Sequence, residues 1–165
     1  MLSLSLTPII SRLTDKPSTF NDLWFRKVAG ASQYAQIRPE NLPKPAAWVV
    51  RDADKVKTAG ELEDLATPYF DVVIAIENKR EHQPGETDDM LLAYRNAVYH
   101  LLRGWQVTPD MKPMKWQGGR IIEYTEGDMY WADRYSFEAL ITNYVELPDS
   151  MQNFSSLNNT GGSKL

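Results

Sequence analysis

The feature that most constrains the fold is an apolar run at residues 69–77, YFDVVIAIE. Successive side chains of a β-strand alternate between its two faces, so one face would carry Phe70, Val72, Ile74 and Ile76. The opposite face would also be apolar, at Val73 and Ala75. Because a strand with two apolar faces is covered on both sides, we predict that this run forms the central strand of a sheet.

A long amphipathic helix is predicted at residues 87–103. Thr87 is the expected N-cap, Asp88 and Asp89 favour the positive end of the helix dipole, and Gly104 suits a left-handed position after the last turn. We expect the apolar stripe of this helix to pack on the central strand. That stripe consists of Leu91, Tyr94, Val98, Leu101 and Leu102.

Shorter elements are predicted elsewhere. Thr7 can cap a helix and Pro8 suits its first turn, and the apolar face of this helix would carry Leu6, Ile9, Ile10 and Leu13. The remaining predictions are an extended piece at 23–28, one or two helical turns at 31–37, a strand at 46–50, and polar loops, functional or mobile, at 52–67 and 78–86.

A long β-hairpin is predicted towards the end of the chain, with strands at 120–125 and 130–145 and a turn at Gly127. At ~3.3 Å per residue the second strand would be about 50 Å long, which is more than a small domain buries. We therefore expect part of the hairpin to project or to pair with a neighbouring molecule. One face of the second strand would carry Trp131, Tyr135, Phe137, Ala139, Ile141 and Val145.

Residues 104–123, GWQVTPDMKPMKWQGGRIIE, form an aromatic corner that joins the predicted helix to this hairpin. Its two prolines would stiffen the connection. Trp105 and Trp116 are predicted to clamp the helix end to the sheet, and Gly118 and Gly119 to allow a sharp entry into the hairpin.

These elements predict an α+β fold, with a mixed, mainly antiparallel β-sheet that includes a long hairpin and packs against two main helices in a single domain. We expect the domain to span residues 1–147. Residues 148–165 are rich in Ser, Asn and Gly, which predicts a flexible C-terminal tail.

The amino-acid composition limits the kinds of catalytic and binding site that the chain can form. The absence of cysteine excludes thiolate nucleophiles and cysteine-based zinc sites, and with two histidines any metal site would depend mainly on carboxylates. The net charge is −4, and the lysines and arginines are scattered, which argues against a surface that grips nucleic acid. No apolar run approaches ~18 residues, so we expect a cytosolic product without a membrane span or an export signal.

One catalytic hypothesis arises from residues 74–80, IAIENKR. Glu77 and Lys79 resemble the second half of a PD-(D/E)xK nuclease motif, in which two carboxylates hold Mg²⁺ beside a lysine. The partner acid would be Asp71 or Asp54. Asp71 lies six residues from Glu77, or about 20 Å along a strand, which is too far to share one metal. We therefore predict neither an enzyme nor a cofactor, and keep the nuclease as an alternative.

An N-terminal helix is followed by P-A-A-W-V-V at residues 45–50, a polar loop and an apolar strand ending in Asn-Lys-Arg. A helix then ends in L-L-R-G-W at residues 101–105. W-x-G-G-R-I-I at residues 116–122 leads into an aromatic hairpin. Over residues 5–146, this order of elements resembles the tail terminator proteins of long-tailed bacteriophages.

The resemblance implies a structural virion protein without catalytic residues. Such a protein assembles as a hexameric ring on the last ring of the tail tube and ends tube polymerisation at the length set by the tape-measure protein. It also provides the docking surface for the head-side connector or stopper protein. The implied partners are further copies of the chain, the tail tube protein and the connector, with the tape-measure protein as an additional candidate.

Further implications concern location and DNA. The ring would be assembled in the host cytoplasm and would lie at the tail–neck junction of the virion, where DNA passes through its channel without specific binding. Two alternatives stay open besides the nuclease, namely another neck or head-completion protein and a small-ligand-binding domain. The candidate ring or tube interface residues are Lys79, Arg80, Glu81, Trp105, Trp116, Arg120, Tyr130, Trp131 and Arg134.

Overall fold

The computed structural model describes residues 4–31, 43–78 and 84–143. Two helices and six strands occur in these ranges. In chain order they are α1 (Thr7–Thr14), β1 (Lys27–Gly30), β2 (Ala46–Thr58), β3 (Glu63–Glu77), α2 (Glu86–Leu102), β4 (Lys115–Tyr124), β5 (Asp128–Ser136) and β6 (Ala139–Thr142).

The six strands form one sheet in the order β1-β2-β3-β5-β4, and β6 pairs with the first residues of β3. Only the β1–β2 pair is parallel. The predicted α+β fold, a mainly antiparallel sheet packed against two helices in a single domain, is confirmed. β3 lies in the middle of the sheet, as its sequence predicts.

Both faces of β3 are buried, as predicted. Phe70, Val72, Ile74 and Ile76 are at most 1% exposed and pack in one core with the buried side chains of α1 and α2. We call this side the helical face. On the opposite side, the outer face, Val73 and Ala75 pack with Trp48, Tyr130 and Ala132 in a second, smaller cluster. Apolar burial on both sides makes β3 the strand on which the fold depends.

The helices match their predicted positions but not their predicted caps. α1 starts at Thr7, with Ile9 and Leu13 fully buried, yet its N-cap is Leu6 and no side chain caps it. α2 starts after Gly85, and Thr87 is buried inside the first turn instead of capping it. The predicted left-handed glycine after α2 is confirmed, since Gly104 has φ +82°.

The prediction of a loop at 52–67 is wrong. β2 and β3 run on past the core as a long antiparallel hairpin, which pairs Val56 with Ala66 and Thr58 with Asp64. All residues from 51 to 62 are exposed. A strand that is exposed on both faces shows no alternation of apolar and polar residues, so its sequence reads as a loop. We call β2 residues 51–58, β3 residues 63–69 and the turn between them the arm.

The second predicted hairpin is confirmed in part. β4 and β5 pair around a turn that includes Gly127. The second strand, however, ends at Ser136, because the chain turns at residues 137–138 and continues as β6 beside the arm. The projecting hairpin is therefore β2–β3, and β6 adds a third strand to it near its end.

Gly118 and Gly119 lie inside β4 and not at its entry, beside a shift in pairing register between Trp116 and Gly119. Three predicted segments fall wholly or largely outside the described residues. They are residues 32–37 of the predicted helical turns, most of the 78–86 loop and the predicted tail.

Replacement of Gly119 by alanine is predicted to destabilise the fold. A Cβ atom at this position would collide with Oδ1 of Asp133 and would lie 2.6 Å from Nε1 of Trp131. Overpacking of this kind costs about 1–3 kcal/mol, measurable by urea denaturation. Gly127→Ala is the control, since nothing lies within 4 Å of a Cβ there. Equal stability of the two variants would contradict the close approach at Gly119.

Candidate functional site

The aromatic corner is closed by backbone hydrogen bonds at Met114. The N–H of Gly104 donates to the Met114 carbonyl at 2.9 Å, and the Met114 N–H donates to the Trp105 carbonyl at 2.9 Å. The Met114 side chain is fully buried in the core. Met114 thus fixes the end of α2 to the start of β4, a role that the sequence predicts for the two tryptophans.

Trp105 is half-buried and packs at the edge of the core. The guanidinium of Arg12 lies 4.5 Å from the centre of its ring, and Arg12 Nε donates to the Leu101 carbonyl at 2.6 Å. Trp105 therefore connects the end of α2 to α1. The predicted clamp to the sheet is replaced by a helix-to-helix contact with a cation–π component.

Trp116 is 43% exposed. Its ring lies edge-on to that of Tyr99 on α2, with centroids 6.0 Å apart, and its Nε1 donates to Asp133 Oδ1 at 3.1 Å. Trp116 thus joins β4 to both α2 and β5, as the predicted clamp requires, while nearly half of its surface remains accessible to another molecule.

The carboxylate of Asp133 is the polar centre of this region. Its side chain is 2% exposed and accepts two hydrogen bonds from Arg95 on α2, at 2.9 and 3.0 Å. Arg95 also lies 4.3 Å from the ring centre of Trp131. A buried carboxylate is costly unless it is paired and hydrogen-bonded, and the Arg95 fork with Trp116 supplies three donors.

Neither Arg95 nor Asp133 is singled out by the sequence. The available signal is the position of Asp133 between Trp131 and Tyr135 on the helical face of β5, because each of these side chains pairs across with a buried apolar residue of β3. A single acid at an apolar position of a strand indicates a buried partner of opposite charge.

The outer face carries a second polar network, which crosses four strands. Asp71 of β3 accepts hydrogen bonds from Arg134 of β5 at 3.1 Å and from Arg120 of β4 at 3.2 Å. Arg134 also pairs with Asp52 of β2 at 3.0 Å. Asp52 sits at a register shift between β2 and β3, at the base of the arm. These ion pairs fix the base of the arm to the rest of the sheet.

The candidate interface residues fall into several groups. Trp116 and Arg120 are exposed, and Trp105, Trp131 and Arg134 are half-buried. Tyr130 is 7% exposed and belongs to the outer-face cluster. The structure brings Trp116 and Trp131 together around Asp133, and Arg120 and Arg134 around Asp71. Lys79, Arg80 and Glu81 lie outside the described residues.

The two candidate partner acids of the nuclease hypothesis are engaged with arginines. Asp71 pairs with Arg120 and Arg134, and Asp54 pairs with Arg51 at 3.1 Å. Lys79 lies outside the described residues. Within the described ranges, no group of three or more His, Cys, Asp or Glu side chains could hold a metal ion. Both polar networks therefore hold strands and a helix in place.

The fold is a small α+β domain with an arm, and the two polar networks hold its strands and α2 together. The family model of the phage tail terminator protein matches residues 1–144, and the chain belongs to this family. The resemblance seen in the sequence is thereby confirmed, and membership makes the protein a structural component of phage tails. A comparison with curated proteins found no match. Neither described helix is long and apolar enough to cross a membrane.

Arg95→Ala is predicted to lower the free energy of unfolding by about 2–3 kcal/mol, because it leaves the buried Asp133 carboxylate without its cation. Arg120→Ala is the matched control. Its side chain is 57% exposed, and Asp71 keeps Arg134, so the loss should stay below about 1 kcal/mol. Chemical denaturation measures both, and losses of similar size would show that Asp133 does not depend on Arg95.

Tyr135 makes the fold sensitive to high pH. Burial raises the pKa of its phenol well above the ordinary value of 10.0, and the carboxylate of Asp133 acts in the same direction. Above pH 10 the unfolded chain releases this proton while the folded chain retains it, so stability is lost as the pH rises.

Tyr135→Phe removes this titration. Between about pH 10 and 11 the wild type is predicted to lose up to about 1.4 kcal/mol more than the variant, and the two should respond alike below pH 9. Urea denaturation at a series of pH values measures the difference. Parallel stability curves above pH 10 would contradict the raised pKa.

Proposed function

We propose that the protein forms a hexameric ring that caps the phage tail tube, ends its polymerisation and provides the docking surface for the head-side connector. The family match carries this proposal. The ring is assembled in the host cytoplasm and occupies the tail–neck junction of the virion. Its activity is structural, and no reaction is assigned to it.

The arm supports a role in assembly. β2 has 13 residues and β3 has 15, and most of their buried residues lie in their core halves, with Ala66 and Pro68 the buried residues of the arm. Residues 51–58 contribute no buried side chain to the domain. A projecting segment that buries so little of its own surface is available for contacts with another molecule.

β4 offers a second contact surface. Among the described strands it is the edge strand opposite β1, and all but one of its residues are exposed. Its exposed large side chains are those of Trp116, Ile121, Ile122 and Tyr124, each at least 42% exposed. Apolar side chains grouped on an edge strand are typical of a protein interface. We assign Trp116 and Arg120, together with Lys79, Arg80 and Glu81, to contacts with the tube, the connector or another subunit.

The charge of the chain fits a channel through which DNA passes. A net charge of −4 gives phosphate no general attraction, so DNA would cross the ring without being held. Residues 148–165 are proposed to be a tail outside the domain of residues 1–147. This tail is proposed to become ordered when it binds a partner.

The test is tube assembly in vitro. Tail tube protein polymerised on its tape-measure complex should give tubes of one length when the protein is present, with a ring at one end in electron micrographs. Trp116→Ala should fold, since the side chain is 43% exposed, but should cap fewer tubes. Leu23→Ala, which removes another side chain that is 56% exposed, is the control.

Two results would contradict the proposal. Tube lengths that do not respond to the wild-type protein would exclude termination. Binding to capsid portals without binding to tubes would instead assign the protein to head completion, the second candidate from the sequence.

A further inference from the structure

The end of the arm is acidic. Residues 58–67, TAGELEDLAT, contain Glu61, Glu63 and Asp64 but no lysine or arginine. Leu62, between the two glutamates, is 47% exposed. We call residues 59–64 the acidic tip, because they present one apolar side chain flanked by three carboxylates.

A basic cleft lies at the other end of the arm, where β4 begins and β5 ends. Its volume is about 400 Å³, and its lining includes three cations, Arg103, Lys112 and Lys115, against one carboxylate, Glu138. Two contacts fix its shape. Arg103 Nη1 donates to the Met114 carbonyl at 2.9 Å, and the Lys112 N–H donates to the Glu138 carbonyl at 3.0 Å.

Apolar side chains also line the cleft. Pro113 and Phe137 belong to its lining, and Phe137 is 2% exposed and part of the main core. Because Phe137 is almost fully covered, Pro113 and Tyr69 offer the accessible apolar surface of the cleft, and the cations form a basic rim beside it. This combination matches the acidic tip in both respects, since Leu62 suits the apolar surface and the carboxylates suit the rim.

The tip of one chain cannot reach the cleft of the same chain. Thr67 and Tyr69 of β3 line the cleft, and Asp64, the acid of the tip that is nearest to them along β3, lies three residues before Thr67, or about 10 Å along the strand. Pairing with β2 on one side and with β5 and β6 on the other keeps this segment extended, so the tip does not fold back onto the cleft. A contact between these complementary surfaces therefore requires two copies of the chain.

We propose that the acidic tip of each copy binds the basic cleft of the next copy. This inference rests on the proposed ring and names the contact that closes it. The two surfaces differ, so the contact is head-to-tail and repeats around a ring instead of ending at a dimer. Solvent-exposed charges contribute to it, so association weakens as the salt concentration rises.

The test is a charge exchange followed by mass measurement. A tip variant, Glu61→Lys with Asp64→Lys, and a cleft variant, Lys112→Glu with Lys115→Glu, each place like charges opposite one another. Either pair should raise the concentration needed for half-assembly about tenfold or more, measured by analytical ultracentrifugation at low salt. A chain that carries all four changes restores opposite charges and should assemble like the wild type.

Two control variants carry charge reversals of the same kind at positions away from the proposed contact. Glu126→Lys alters an exposed acid in the β4–β5 turn, and Lys16→Glu alters an exposed lysine after α1. Neither should change assembly. Circular dichroism and thermal melting establish that every variant is folded before its mass is compared.

The outcomes separate this contact from the proposed function. Tip and cleft variants that assemble like the wild type, or a fourfold variant that fails to recover, would overturn the contact while tube capping by the wild type still supports the function. Wild-type rings that respond to the charge reversals but never bind tubes would support the contact and overturn the function. A wild type that stays monomeric at every concentration, with and without tubes, would overturn both.

Discussion

The pairing of Arg95 with the buried carboxylate of Asp133 determines how the layers of this protein fit together. The ion pair is a polar link between α2 and β5, and through Trp116 it extends to β4. The close approach of β4 at Gly119 leaves no room for a side chain beside Asp133. The positions of α2 and β4 and the lack of a side chain at residue 119 therefore depend on one another. A shift of α2 or β4, or a side chain at residue 119, would leave a charge buried without its partner.

The rest of the fold consists of a buried core, which stabilises the domain, and an arm that is largely accessible to other molecules. β3 is buried on both faces along its second half and forms part of the arm along its first half. β3 thus links the stable core to the arm, which contains few buried residues of its own. The network of Asp52, Asp71, Arg120 and Arg134 lies where the two halves meet, and it ties four strands together at that point. The arm consequently has a rigid base although only Ala66 and Pro68 among its residues are buried.

The sequence predicts the parts of the fold that are governed by apolar periodicity. The pattern predicts both β3 and α2, since burial leaves a regular period of 2 or 3.6. It does not predict the arm, because residues 51–58 are exposed on both faces and are held by backbone pairing, which leaves no such period. It does not predict the break after Ser136, because apolar residues continue through Phe137 and Ala139 into β6. At the site, the residue type of Trp116 indicates its role, whereas Met114 and Asp133 act through contacts that depend on the tertiary arrangement.

The position of β6 has a practical consequence. The N–H of Asn143, directly after β6, donates to the carbonyl of Leu62, so the described part of the chain ends beside the turn at the far end of the arm. The described part begins at Leu4, whose carbonyl accepts a hydrogen bond from Arg51 at 2.5 Å, near the base of the arm. A fluorophore or affinity label attached at residue 143 would thus report on the far end of the arm, whereas one attached at residue 4 would report on its base.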